Sequence, residues 1–168
     1  MACFNSRRYS CFGPYYPCPI SCCSCRCCNN IVQNPVVVTT NLAFFALTTA
    51  TAVDSGVLIP VTLITNVGTS ITSPTAGTIN LTPGTYEATY NVNSIIGASG
   101  TNSFGLQLGG TTIPASVSSV TGVVGDNSTV SDSVVFTVAT SGSALTLNNL
   151  GADTIDVNVA NLTIRKIS

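Results

Sequence analysis

Asn80-Leu81-Thr82-Pro83-Gly84-Thr85-Tyr86-Glu87-Ala88-Thr89-Tyr90-Asn91-Val92-Asn93 is the stretch that decides the fold. It reads as a turn followed by a strand. Pro83 fixes φ at the first central position of a turn, and Gly84 tolerates positive φ at the second. Beyond it, Tyr86, Ala88, Tyr90 and Val92 alternate with Thr85, Glu87, Thr89 and Asn91. Period two over that length predicts a strand with one dry and one wet face. Such strands build an antiparallel sheet packed on a second layer.

On either side the same grammar recurs. Asn41–Thr49 is apolar at successive positions, which predicts a strand buried between layers. Val57–Val67 reads as one or two strands interrupted by Pro60, a residue of sheet edges and bulges. Ala76–Leu81 is a short strand leading into the turn. Phe104, Leu106 and Leu108 alternate before Gly109-Gly110 reverses the chain. Thr111–Val117 reads as a weak strand with Pro114 on its rim. Val134, Phe136 and Val138 mark another strand, Leu145 and Leu147 the next, and Thr154–Ile167 the last. In that last strand the apolar phase slips by one at Ala160-Asn161, which predicts a bulge there or a strand whose two halves face different partners. No segment carries a 3.6-residue apolar stripe. The expectation is an all-β fold, an antiparallel sandwich of about eight to ten strands.

The domain boundaries follow from composition. All eight cysteines lie in residues 1–30, at Cys3, Cys11, Cys18, Cys22, Cys23, Cys25, Cys27 and Cys28. Arg7, Arg8 and Arg26 are there too, with no acid among them. This reads as an irregular Cys-rich arm. Residues 31–40 form an extended connector: Pro35 holds Asn34 extended, and Val36–Thr40 has the β-branched density of a strand suited to a neighbour's sheet edge. Residues 41–168 are the globular domain.

Charged residues make up 7% of the 168-residue chain, against roughly 25% in an average soluble protein. A surface of Ser, Thr and Asn steers charged ligands poorly and repels its own copies weakly. Self-association is therefore expected. The net charge of −1 argues against nucleic acid as a partner. No apolar run approaches the ~18 residues of a membrane helix, and the Gly and Pro breaks between Cys11 and Cys28 preclude a signal-peptide core. The expectation is a chain made in a cytosol without a secretory signal, with neither membrane nor nucleic acid as partner.

Gly77–Tyr90, then Phe104-Gly105-Leu106-Gln107-Leu108-Gly109-Gly110, and the ending Asn161-Leu162-Thr163-Ile164-Arg165-Lys166-Ile167-Ser168 resemble the C-terminal domain of collagen-like exosporium glycoproteins of the BclA type. The resemblance covers residues 41–168. It implies a jelly roll of the complement and tumour-necrosis-factor kind that forms homotrimers on bacterial spore surfaces. It also implies that Tyr86, Tyr90, Val157, Val159, Leu162 and Ile164 belong to the core or trimer strands. The family places a collagen-like Gly-X-Y stalk before this domain, and no such repeat occurs here. The arm-plus-globule plan instead is similar to that of spore appendage subunits, whose N-terminal arm docks on the preceding subunit.

Cys22-Cys23-Ser24-Cys25-Arg26-Cys27-Cys28 puts five thiols in seven residues. Adjacent cysteines point apart and pair poorly with one another, which favours inter-chain disulfides. A metallothionein-like metal cluster and redox-reactive thiols are the alternatives. The metal reading is weakened by the absence of His and of repeated Cys-x₂-Cys spacing. Phe12, Tyr15 and Tyr16 of the arm read as docking anchors, with Tyr9 beside them. Without His, neither a Ser-His-Asp nor a Cys-His apparatus can be built. No cofactor is expected. Asp126-Asn127-Ser128 and Asp153 supply oxygen ligands of the calcium type, although polar loops account for them more simply.

These readings converge on a structural subunit of a spore surface fibre or layer. It would trimerise through the jelly roll and polymerise through the arm, with itself and other spore coat or exosporium proteins as partners. The competing reading is a trimeric adhesin or glycan-binding module that uses loops 95–102 and 118–128.

Overall fold

A computed structural model describes residues 41–168 and, within the arm, the backbone of Tyr9–Ser10 and Pro17–Cys18. The chain divides into two compact units, Met1–Val38 and Thr39–Ser168. In the first, β1 (Tyr9–Ser10) pairs antiparallel with β2 (Pro17–Cys18), so the arm contains a short piece of regular structure. The remaining arm and connector expectations lie outside the described residues.

The second unit runs through β3 (Leu42–Ala46), β4 (Thr51–Val53), β5 (Thr62–Val67), β6 (Ile71–Thr75), β7 (Thr78–Leu81) and β8 (Gly84–Ile95). It continues through β9 (Thr101–Leu108), β10 (Thr111–Thr112), β11 (Ser118–Thr121), β12 (Asn127–Val138), β13 (Ser143–Asn149) and β14 (Ile155–Lys166). These make two antiparallel six-stranded sheets. One has the order β12-β8-β14-β3-β5, with β4 also on β14, and the other the order β10-β9-β13-β7-β6, with β11 also on β9. The strand count exceeds the eight to ten expected because β4 and β11 are too short for alternation to show and β6 carries Pro74.

The opening stretch is the centre of the first sheet. Tyr86, Ala88, Tyr90 and Val92 of β8 are buried, packed with Phe45, Phe104, Leu106, Leu147 and Leu162 between the sheets. Both tyrosines keep their hydroxyls satisfied in this apolar setting, as burial requires. Tyr86 donates to the Thr82 carbonyl at 2.8 Å, and its ring stacks on Phe136 at 6.0 Å. Tyr90 donates to the carbonyls of Ser116 at 2.9 Å and Phe104 at 3.2 Å. Gly84 takes φ +149°, and a Cβ there would meet the Ser168 carbonyl and the Lys166 side chain. The turn therefore needs glycine both for its backbone angle and for the close approach of the C-terminal segment.

Val57–Val67 is interrupted at Pro60 as expected: Leu58 bridges Asn148 before it, and β5 starts at Thr62 after it. Three expectations need correction. β3 is not buried on both faces: Ala43 and Phe45 reach the core, whereas Leu42, Phe44 and Ala46 are half-buried on the outer face. The predicted strand Thr111–Val117 stops at Thr112, and Pro114–Ser116 forms a 3₁₀ turn, because Pro has the fixed φ but not the N–H a strand needs. The slip in β14 lies between Val157 and Val159, not at Ala160-Asn161. Asn158 is the extra residue, so Ala160, Leu162 and Ile164 all point inward and Val159 points out.

Candidate assembly interface

Strand register turns the outer face of the first sheet into a series of rungs. The first runs Val135, Glu87, Arg165, Leu42, Val67 across β12, β8, β14, β3 and β5. The second runs Ser133, Thr89, Thr163, Phe44, Thr65, and the third Ser131, Asn91, Asn161, Ala46, Thr62. A fourth joins Thr129, Asn93 and Val159. Glu87 and Arg165 are the charged residues on these rungs, and they neutralise each other at 2.6 Å.

The polar members bond sideways. Thr89 shares a hydrogen bond with Ser133 at 2.9 Å, and the Asn93 amide donates to the Thr129 hydroxyl at 3.1 Å. Asn158 donates to the side-chain oxygens of Asn127 at 3.1 Å and Asn93 at 3.3 Å. Cross-strand pairs of this kind hold side chains in place on the sheet. Short, mutually bonded side chains lose little rotamer entropy when a second surface covers them. Val135 and Val159 stand 59% and 45% exposed among them. Over these rungs the face is nearly neutral and partly apolar, which suits contact with a neighbouring copy.

Of the expected core or trimer residues, Tyr86, Tyr90, Val157, Leu162 and Ile164 lie inside the sandwich. Val159 alone of the six reaches the outer face. Val135, Phe44, Leu42 and Val67 were not singled out from sequence. Their signal was parity: each sits out of phase with a buried neighbour, but a single sequence does not say which strands align. Cys3, Cys11, Cys22, Cys23, Cys25, Cys27 and Cys28, with Phe12, Tyr15 and Tyr16, lie outside the described residues. Of Tyr9 and Cys18 only the backbone pairing is described.

The acids at one end of the sandwich serve the loops. Asp153 accepts the Ser99 backbone N–H at 2.6 Å, and this bond, with help from the Ser99 hydroxyl, holds its carboxyl below the usual range. Asp126 closes the turn from Val123 through its backbone N–H. Among the described residues no group of three or more Cys, Asp or Glu side chains is arranged to hold a metal. Among them, too, no helix is long and apolar enough to cross a membrane.

Solved structures similar to this chain include Eiger TNF from S. frugiperda, with TM-score 0.64 and 12% identity over 77% of this chain and 94% of that one. The globular domain of zebrafish complement 1qA protein gives 0.62 and 10% over 76% and 98%. Murine APRIL gives 0.61 and 12% over 76% and 99%. The fold is a TNF/C1q-like jelly roll. No protein-family model matches the chain, and no curated protein matches it. At such identities the likeness is one of fold.

Proposed function

We propose that this chain is a structural, non-catalytic subunit of a bacterial spore surface fibre or layer. Its jelly rolls associate as homotrimers through the outer face of the β12-β8-β14-β3-β5 sheet. The Cys-rich arm links each trimer to its neighbours through inter-chain disulfides, and to other coat or exosporium proteins. The observation that carries the reading is the run of rungs whose only charges cancel. A neighbouring copy can cover such a face without an unpaired charge being buried on it, the large penalty in association. The arm supports the second half: all eight cysteines sit there and none in the sandwich. The spore location rests on the sequence resemblance over residues 41–168.

The adhesin reading has less beneath it. Ligand pockets are lined largely by apolar and aromatic side chains. Loops 95–102 and 118–128 contain no aromatic residue, and Phe45, Phe104, Phe136, Tyr86 and Tyr90 are all buried. Electrophoresis of the full chain without reductant tests the linking role. Ladders of cross-linked species that collapse on reduction are expected; a single monomer band without reductant would end the proposal.

A further inference from the structure

The sandwich guards its sheet edges unequally. β6 carries Pro74 and a register break between Thr72 and Thr75. β12 carries Asp132 in mid-strand, opposite the inward-facing Tyr90. β10 is two residues long and β11 four. Proline, bulges, inward charge and shortness are the usual devices against unwanted strand pairing. β5 has less protection. Among the described residues it pairs on one side only, with β3. Its Thr62-Leu63-Ile64-Thr65-Asn66-Val67 holds no charge and no proline, and every residue but Leu63 is exposed. Its one irregularity is the extra residue Ile64, itself apolar and 52% exposed.

Directly ahead of the sandwich lies a segment of matching chemistry. Val36-Val37-Val38-Thr39-Thr40 is uncharged and β-branched throughout, the composition that sits best in a pleated sheet. We propose that Val36–Thr40 of one copy adds to the free edge of β5 in a neighbouring copy, as an extra strand of that sheet. The inference rests on the reading that the arm joins copies, and it names the surface where the join is made.

Chain reach argues for a neighbour's connector over the chain's own. The sandwich begins beside the far end of β5, with Leu42 opposite Val67. Asn41 is tied there: its side-chain oxygen accepts from the N–H groups of Thr69 at 3.0 Å and Ser70 at 3.1 Å, and its carbonyl from Lys166 N–H at 2.9 Å. The slot beyond β5 lies two strand spacings from β3, roughly 10 Å. Thr40 and Asn41 together span at most ~7 Å, and they would also have to reverse the chain. Starting the donor strand earlier to gain length brings Pro35 into it, which fits there only where its nitrogen faces away from β5.

Hydrogen exchange on the full chain under reductant, with sedimentation run in parallel, tests the proposal. Wild type is compared with Val37→Pro, a change outside the sandwich, and with Ile64→Lys on the exposed edge. In assembled wild type the β5 amides should exchange at least tenfold more slowly than in Val37→Pro, while β8 amides stay equal in both. Ile64→Lys should lose the same assemblies as Val37→Pro. Equal β5 exchange in wild type and Val37→Pro overturns strand addition, whatever the mass. Wild-type trimers with unprotected β5 sink this inference and leave the trimer standing. Protected β5 in a chain that never trimerises sinks the trimer and leaves this inference standing.

Discussion

The two faces of the β12-β8-β14-β3-β5 sheet are built from the same strands and obey opposite rules. On the inner face Tyr86, Tyr90, Phe45, Leu162 and Ile164 are at most 1% exposed and fill the space between the sheets. On the outer face the intervening residues are Thr89, Asn91, Asn161 and Thr163, with Phe44, Val135 and Val159 among them. The inner face spends bulk on packing, where van der Waals contacts accumulate. Along its rungs the outer face uses short polar side chains that bond to one another, with a single ion pair; the exposed Asp156 lies beyond them, opposite Ala52 of β4. An ordinary solvent-facing sheet of this size would carry several Lys and Glu residues. The difference teaches that outward residues of β8 and β14 were not chosen for repulsion between copies.

Adjacent substitutions on one strand would break or sharpen that contrast. Leu162→Ala removes a buried side chain and should cost ~2–5 kcal/mol in denaturant unfolding. Thr163→Arg, one residue on, faces outward. It should leave unfolding of the domain within about 0.5 kcal/mol yet abolish the trimer, by burying an unpaired charge in a covered face. Equal losses of stability from the two would erase the distinction between faces.

Gly84→Ala probes where the central strand begins. Its positive φ and the close approach of Ser168 should make this one-methyl change cost about 1–3 kcal/mol, seen as a lowered Tm. An unchanged Tm would mean that the C-terminal segment yields easily.

Tyr90→Phe asks what the buried hydroxyl contributes. Two carbonyls lose their donor, at a cost of ~1–3 kcal/mol. Burial, with the Asp132 charge adding to it, pushes the Tyr90 phenol above the ordinary tyrosine range. The folded pKa is thus raised, so this contribution is full below the unfolded value of about 10 and is lost as pH rises above it. Tyr90→Phe should flatten that alkaline loss; an identical alkaline limb in both proteins would refute the account of Tyr90.

The smallest effect belongs to the exposed Asp153. Its carboxyl is held low by Ser99, so its contribution is present above the unfolded carboxylate value of about 3.9 and fades as pH falls below it. Asp153→Asn should narrow the stability difference between pH 7 and pH 3 slightly, measured by denaturant midpoints at each pH.

The inner face was legible in the sequence and the outer face was not. Strict alternation from Thr85 to Val92 announced both the strand and the side that it buries, because a dry face demands apolar residues at every second position. Phe136 and Leu147 followed from the same rule. Reading the outer face required knowing that Glu87 stands opposite Arg165 and Thr163 opposite Phe44. Those pairings are set by register between strands far apart in the chain. The bulge at Asn158 was misplaced because Ala160 is small and counts for little in an apolar pattern, although it is fully buried. Leu42 and Phe44 misled in the opposite sense: their hydrophobicity predicted burial on both faces, and they lie instead among the outer rungs.

Sedimentation of the full chain under reductant, at pH 7, tests the central claim most directly, because it isolates the outer face from the cysteines. The account predicts a trimer's mass as the smallest stable species for wild type, and a monomer's mass for Thr163→Arg. A wild-type chain that sediments as a folded monomer at all concentrations would contradict it.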